Sequence, residues 1–156
     1  MGAVIDPLSI MKTIVFVCHG NICRSPVGEI LFIEEIKRLG KENEFKVFSR
    51  ATSREEIGND IYPPMKRVLY EHNIPFSRHY ATQMTYEEFR DADYIFYMDR
   101  NNLFHLERLF GKSDKYILIR KYIDNKDIED PWYTDRYEYV FNLIKEAIES
   151  IIKEIA

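Results

Sequence analysis

Lys12 opens a run, Thr13-Ile14-Val15-Phe16-Val17, that is β-branched or aromatic at every position and shows no alternation with polar residues. A strand of that kind is buried on both faces, so it needs a layer of structure above and below it and belongs at the centre of a sheet. It leads directly into Cys18-His19-Gly20-Asn21-Ile22-Cys23-Arg24-Ser25-Pro26. From there Val27, Ile30, Leu31, Ile33, Ile36 and Leu39 recur at helical spacing, with Lys37 and Arg38 in the last turn and Gly40 as the stop. The chain therefore begins its fold as strand, tight loop and helix.

The same alternation continues. Phe45–Ser49 reads as a second strand, and Arg50 to Asn59 as a polar loop outside the core. Pro63 and Pro64 open a helix reaching about His72, and Thr85-x-x-Glu88 is a capping box for a short helix. Tyr94–Met98 is a buried strand ending at Asp99. Asn101–Phe110 is a helix with Leu103, Leu106 and Leu109 in register, closed by Gly111. Tyr116–Ile119 is the fourth strand. A charged loop from Arg120 to Tyr133 follows, and Asp135-x-x-Glu138 caps a last helix with Val140, Phe141, Ile144, Ala147, Ile148, Ile151 and Ile155 on one stripe. Four strands alternating with helices predict a single-domain α/β three-layer sandwich, its four-stranded, mostly parallel central sheet covered by helices on both faces. We expect residues 1–11 to be a short extension and residues 12–156 to form the domain. In such sheets ligands bind beyond the strand C-termini, where Cys18 falls.

The loop after the first strand has the composition of an anion cradle. Successive backbone N–H groups can turn inward as a concave nest, the start of the following helix points its unpaired N–H groups to the same centre, and Arg24 offers a planar fork for two oxygens. Gly20 is expected to relax the backbone, and Ser25-Pro26 reads as N-cap and first helical residue. Cations and helix N-termini favour the thiolate, so Cys18 reads as a nucleophile beneath a bound phosphate. Elsewhere the chain gives little reason for anion affinity. Its net charge is −4, which offers no general pull toward nucleic acid or an anionic membrane surface. No apolar run approaches the roughly 20 residues that cross a bilayer. Only two cysteines occur, both inside the loop. That is too few for a disulfide framework or a structural zinc site, and a reducing cytoplasm is the expected setting. Residues 1–10 lack the basic start and long apolar core of a signal peptide.

The string C-x-G-N-I-C-R-S-P closely resembles the phosphate-binding signature of the low-molecular-weight protein tyrosine phosphatases. Asp130-Pro131-Trp132-Tyr133 matches that family's late Asp-Pro-aromatic motif, and Ser49-x-Ala51-Thr52-Ser53 and Ile57-Gly58-Asn59 extend the likeness over nearly the whole chain from Lys12. The resemblance implies a phosphatase acting on phosphotyrosine proteins without metal or cofactor and releasing inorganic phosphate. Cys18 would be the nucleophile, Arg24 the phosphate clamp and Asp130 the general acid and base. Chemistry asks for such an acid, because a phenolate or alkoxide leaves poorly unless protonated.

The resemblance further assigns His19, Gly20, Asn21, Ile22, Cys23, Ser25, Glu55, Trp132 and Tyr133 to substrate or phosphate binding, and Ser49 and His72 to a network that shapes the loop. It implies that Cys23 forms a reversible disulfide with Cys18. Ile22 stands where family members acting on phosphoarginine carry Thr. His19 and Glu55 depart from the family pattern, which often has an apolar residue and an aromatic wall there. The other readings are a phosphoarginine phosphatase, an arsenate reductase of the same fold, which would need cysteines this chain lacks, and a non-catalytic phosphotyrosine-binding module.

Overall fold

In the computed structural model, which describes residues 11–156, the buried run becomes β1 (Lys12–Cys18), with Ile14 to Val17 fully inaccessible. The expected extension falls almost wholly outside the described residues. The strands β2 (Phe45–Ala51), β3 (Tyr94–Tyr97) and β4 (Tyr116–Leu118) complete one sheet in the order β2-β1-β3-β4, and every pairing is parallel. The helices are α1 (Arg24–Arg38), α2 (Pro63–Glu71), α3 (Tyr86–Asp91), α4 (Arg100–Phe110), α5 (Pro131–Thr134) and α6 (Tyr137–Ile155).

The two faces of β1 build two cores. Ile14, Phe16 and Cys18 pack with α1, α2 and α6 through Phe32, Ile36, Met65, Phe141 and Ile144. Val15 and Val17 point the other way, to Leu106, Ile95 and Met84, with Phe89 and Phe110 against them. Period-two alternation thus serves two apolar layers instead of one, which explains why the sequence shows no polar face. Gly28 allows the close approach of α1 to the sheet, since a Cβ there would stand 3.0 Å from the Phe16 ring.

Local expectations fail in a few places, each for a tertiary reason. Helix α1 starts at Arg24 with Cys23 as its N-cap and no side-chain cap, because the Ser25 hydroxyl is engaged with Cys18 and Asn21. Strand β2 runs on to Ala51, paired with Cys18, and both Ala51 and Thr52 are buried under the loop they support. Asp135 does not cap α6. It ends α5 in the left-handed region at φ 61°, and Arg136 takes the N-cap position without a side-chain bond. Of the three leucines on α4 only Leu106 is buried, while Leu109 faces out. The capping box at Thr85 forms as expected, and Asp99 builds a second one with Asn102 at the start of α4.

Candidate active site

The loop from Cys18 to Arg24 is held from outside by its carbonyls. Those of Cys18, His19 and Ile22 accept from the backbone N–H groups of Thr52, Ser53 and Tyr62, and the Asn21 carbonyl accepts from Nε2–H of His79 at 2.6 Å. Peptide planes whose oxygens point outward turn their N–H groups inward, which is the nest an anion requires. The left-handed residue of the turn is Asn21, at φ 60°, and not Gly20. Asn tolerates that conformation because its short side chain bonds locally. Gly20 matters for space, since a Cβ there would stand 3.2 Å from Glu56 Cγ.

Asn21 is fully buried, and its groups bond on every side. Nδ2 donates to Ser25 Oγ (2.8 Å) and Ser49 Oγ (3.0 Å), and Oδ1 accepts from the Thr82 N–H (3.0 Å). Ser49 passes its own proton to Glu29 Oε1 at 2.6 Å. With an acceptor lone pair of Ser25 filled by Asn21, its hydroxyl proton is free for Cys18 Sγ, 3.0 Å away. The backbone N–H groups of Asn21 (3.3 Å) and Ser25 (3.4 Å) reach the same sulfur. Three donors therefore converge on Sγ and stabilise negative charge there.

Arg24 is almost wholly buried beneath the cup. Its Nη1 donates to Asp99 Oδ2 (2.7 Å) and to the Ile128 carbonyl (2.8 Å), and Nη2 lies 3.6 Å from Asp130 Oδ2. Burial alone would depress its pKa, but Cys18, Asp99 and Asp130 outweigh this and hold the guanidinium firmly charged. Anchoring one nitrogen fixes the fork's plane. Asp130 is the N-cap of α5, its Oδ1 accepting from the Trp132 N–H at 3.0 Å, which leaves Oδ2 facing Arg24. Cys23 is a neutral thiol, its pKa pushed well up by burial and then by the charges of Cys18 and Asp130. Both cysteines are free.

Cys18, Arg24 and Asp130 line one cavity of ≈ 140 Å³ with His19, Gly20, Ile22, Cys23, Glu55, Glu56, Trp132 and Tyr133. Asn21, Ser25 and Ser49 lie behind that surface as positioning residues. His72 does not join them. It pairs with Glu138 at the surface (2.8 Å) and stacks on Phe141. His79 holds the loop instead, and no local pattern in the sequence marks it. Glu29, Thr82 and Asp99 are likewise visible only once the elements are packed. His19 and Glu55, the two departures from the family pattern, are bonded to each other across the mouth at 2.9 Å. Among the described residues no group of three or more His, Cys, Asp or Glu side chains is placed to hold a metal ion. No described helix is long and apolar enough to cross a membrane.

Residues 13–156 match the family model described as low molecular weight phosphotyrosine protein phosphatase. The chain belongs to this family. Among curated relatives, the low molecular weight protein-tyrosine-phosphatase YfkJ of Bacillus subtilis is 33% identical over 150 residues, covering 93% of this chain and 96% of that protein. PtpA of Staphylococcus aureus is 31% identical over 149 residues, covering 93% and 94%. The crystal structure of YfkJ superposes with a TM-score of 0.88 over 93% of this chain and 94% of that one, at 31% identity. Vibrio vulnificus Wzb, solved in complex with benzylphosphonate, gives 0.82 at 26% identity, covering 93% and 99%. By family and fold the chain is a low molecular weight protein tyrosine phosphatase, as its loop motif implied.

Proposed function

We propose that this phosphatase hydrolyses phosphotyrosine in proteins by two displacements at phosphorus, with Cys18, Arg24 and Asp130 as its catalytic residues. The phosphoryl group sits in the nest, its oxygens on the inward N–H groups and on Nε and Nη2 of Arg24. Sγ attacks phosphorus as the ester bond breaks, and Asp130 Oδ2 gives its proton to the departing phenolic oxygen. The Ser25 hydroxyl helps the sulfur leave when the phosphocysteine breaks down, since it already bonds Sγ at 3.0 Å. In that second step Asp130 takes a proton from water, which attacks phosphorus and releases inorganic phosphate and the Cys18 thiolate.

One observation carries the assignment. A carboxylate from the far end of the chain stands 3.6 Å from the guanidinium that closes the nucleophile's loop. A module that only bound phosphate would gain nothing from a second negative group there. Trp132 and Tyr133 flank the acid at the mouth, and Ile22 lines the same cavity, so the walls suit a flat aromatic ester. Benzylphosphonate, an aromatic phosphonate, occupies the structure of the related Wzb. Action on phosphoproteins in a reducing cytoplasm is consistent with two free cysteines. Under peroxide, oxidation of the Cys18 thiolate to a sulfenic acid followed by condensation with the Cys23 thiol, with loss of water, would give a reversible disulfide.

The test is kcat/KM for a phosphotyrosine peptide beside phosphoarginine and phosphoserine, without added metal, for wild type and Asp130→Ala. Preferred phosphotyrosine turnover that falls roughly 10²-fold or more in the variant, within the range of a general acid, supports the mechanism. Preference for phosphoarginine, or no turnover, refutes it.

A further inference from the structure

We propose that a groove beside the catalytic cavity accepts an apolar side chain of the phosphopeptide, within two residues of the phosphotyrosine, and that Tyr62 sets this preference. The inference rests on the phosphotyrosine reading above and names the substrate class that the same site selects.

The groove, of ≈ 330 Å³, adjoins the catalytic cavity, for the two share Ile22, Glu56 and Trp132 as walls. Trp132 is the partition. Its indole lines the slot for the phosphorylated ring on one side and meets Tyr62 on the other, with ring centroids 5.1 Å apart. The Tyr62 N–H bonds the Ile22 carbonyl at 2.9 Å, which fixes the far wall to the phosphate loop itself. Pro63, next in the chain, stiffens that wall at the start of α2.

The charges around the groove are already matched. At one end, Asp60 pairs with Lys66 and with Arg78 (3.3 Å) and accepts from the backbone of Ile61 and His79. At the rim, Glu56 accepts from the Asn59 side chain and backbone. Among the described residues that line the groove the one cation, Lys66, is paired with Asp60, and the exposed wall is aromatic and aliphatic, so burial of an apolar group is the available gain. An extended peptide advances about 3.3 Å per residue, so a side chain one or two positions from the phosphotyrosine can pass the thickness of the indole. The Tyr62 side chain meets Trp132 but forms no hydrogen bond with Cys18, Arg24 or Asp130, and an alanine there keeps the backbone N–H that bonds Ile22.

The experiment is kcat/KM for phosphotyrosine peptides in which Leu, Phe, Ala, Asp and Lys are varied one at a time from two residues before to two residues after the phosphotyrosine. Half burial of a Leu side chain predicts about a tenfold advantage over Ala at one position. In Tyr62→Ala that advantage falls below about threefold, a loss that exceeds any change in kcat/KM for p-nitrophenyl phosphate, which ends at its ring. Lys66→Trp, which fills the groove instead of opening it, removes the same advantage. Turnover without apolar preference at any position overturns the groove alone. So does a preference that survives both variants, or a Tyr62→Ala loss shared equally by p-nitrophenyl phosphate. Wild type that turns over no phosphotyrosine peptide overturns the phosphatase reading and the groove with it.

Discussion

Asn21 offers the sharpest test of how the loop is held, because its backbone and its side chain do separable work. It sits at φ 60° with its amide bonded to Ser25, Ser49 and Thr82. Substitution by Ala removes two donated hydrogen bonds worth about 1 kcal/mol each and leaves the Thr82 N–H without its acceptor, a further cost of about 1 kcal/mol. Holding Ala in the left-handed region adds about 1 kcal/mol. Asn21→Ala should therefore lose about 4 kcal/mol of a total stability of about 5–15 kcal/mol. Asn21→Gly escapes the backbone term and should lose about 3 kcal/mol. Both should lower kcat at least tenfold, of the order a misplaced reacting group costs, since nothing then directs the Ser25 proton to Sγ. Urea unfolding would measure the stabilities and p-nitrophenyl phosphate turnover the activity. If Asn21→Ala is as stable as Asn21→Gly, the left-handed backbone is not strained. If either variant matches wild type in both measurements, the network does not position the loop.

His79→Ala should depress kcat, because the Asn21 carbonyl loses its partner, while His72→Ala, which removes only a surface contact with Glu138 and Phe141, should leave kcat/KM alone; the reverse order in steady-state assays would mean that the two histidines are assigned wrongly. Iodoacetate should add one carboxymethyl group, on Cys18, since three donors converge on its sulfur while Cys23 is held as the neutral thiol, and phosphate should protect; two adducts in the intact mass of the folded protein would contradict this. Asp60 is held well below the usual carboxylate range, since Lys66 and the N–H groups of His79 and Ile61 outweigh the burial that would raise it. Its folded-state pKa lies below the unfolded value of about 3.9, so its contribution is complete above that pH and lost as pH falls toward the folded value. The stability gap between wild type and Asp60→Asn should thus be widest near neutrality and shrink below about pH 4; a gap that grows on acidification would reverse the sign.

What the sequence determined by itself is what short-range chemistry encodes. An unbroken β-branched run demands two covering layers, so β1 is central. Cys18 and Arg24 are six residues apart, close enough for a single turn to bring thiol and guanidinium to one centre. The stripe on α6 and the capping box at Thr85 were legible because helical period and cap geometry are fixed within one element. Other features depended on where the elements meet. Ser25 looks like a cap until its hydroxyl is seen to have better partners in Cys18 and Asn21, and Asp135 looks like another until α5 ends on it. His72 and His79 cannot be ranked from sequence, since only the path of the segment after α2 brings one ring to the Asn21 carbonyl and sends the other to Glu138. Asp99 and Asp130 reach Arg24 because β3 is the parallel neighbour of β1 and α5 returns over the same sheet edge of strand ends. The groove along Tyr62 exists only because that ring meets Trp132. A hydrogen bond or an aromatic contact depends on distances of a few ångströms between segments far apart in the chain, and packing alone sets those distances.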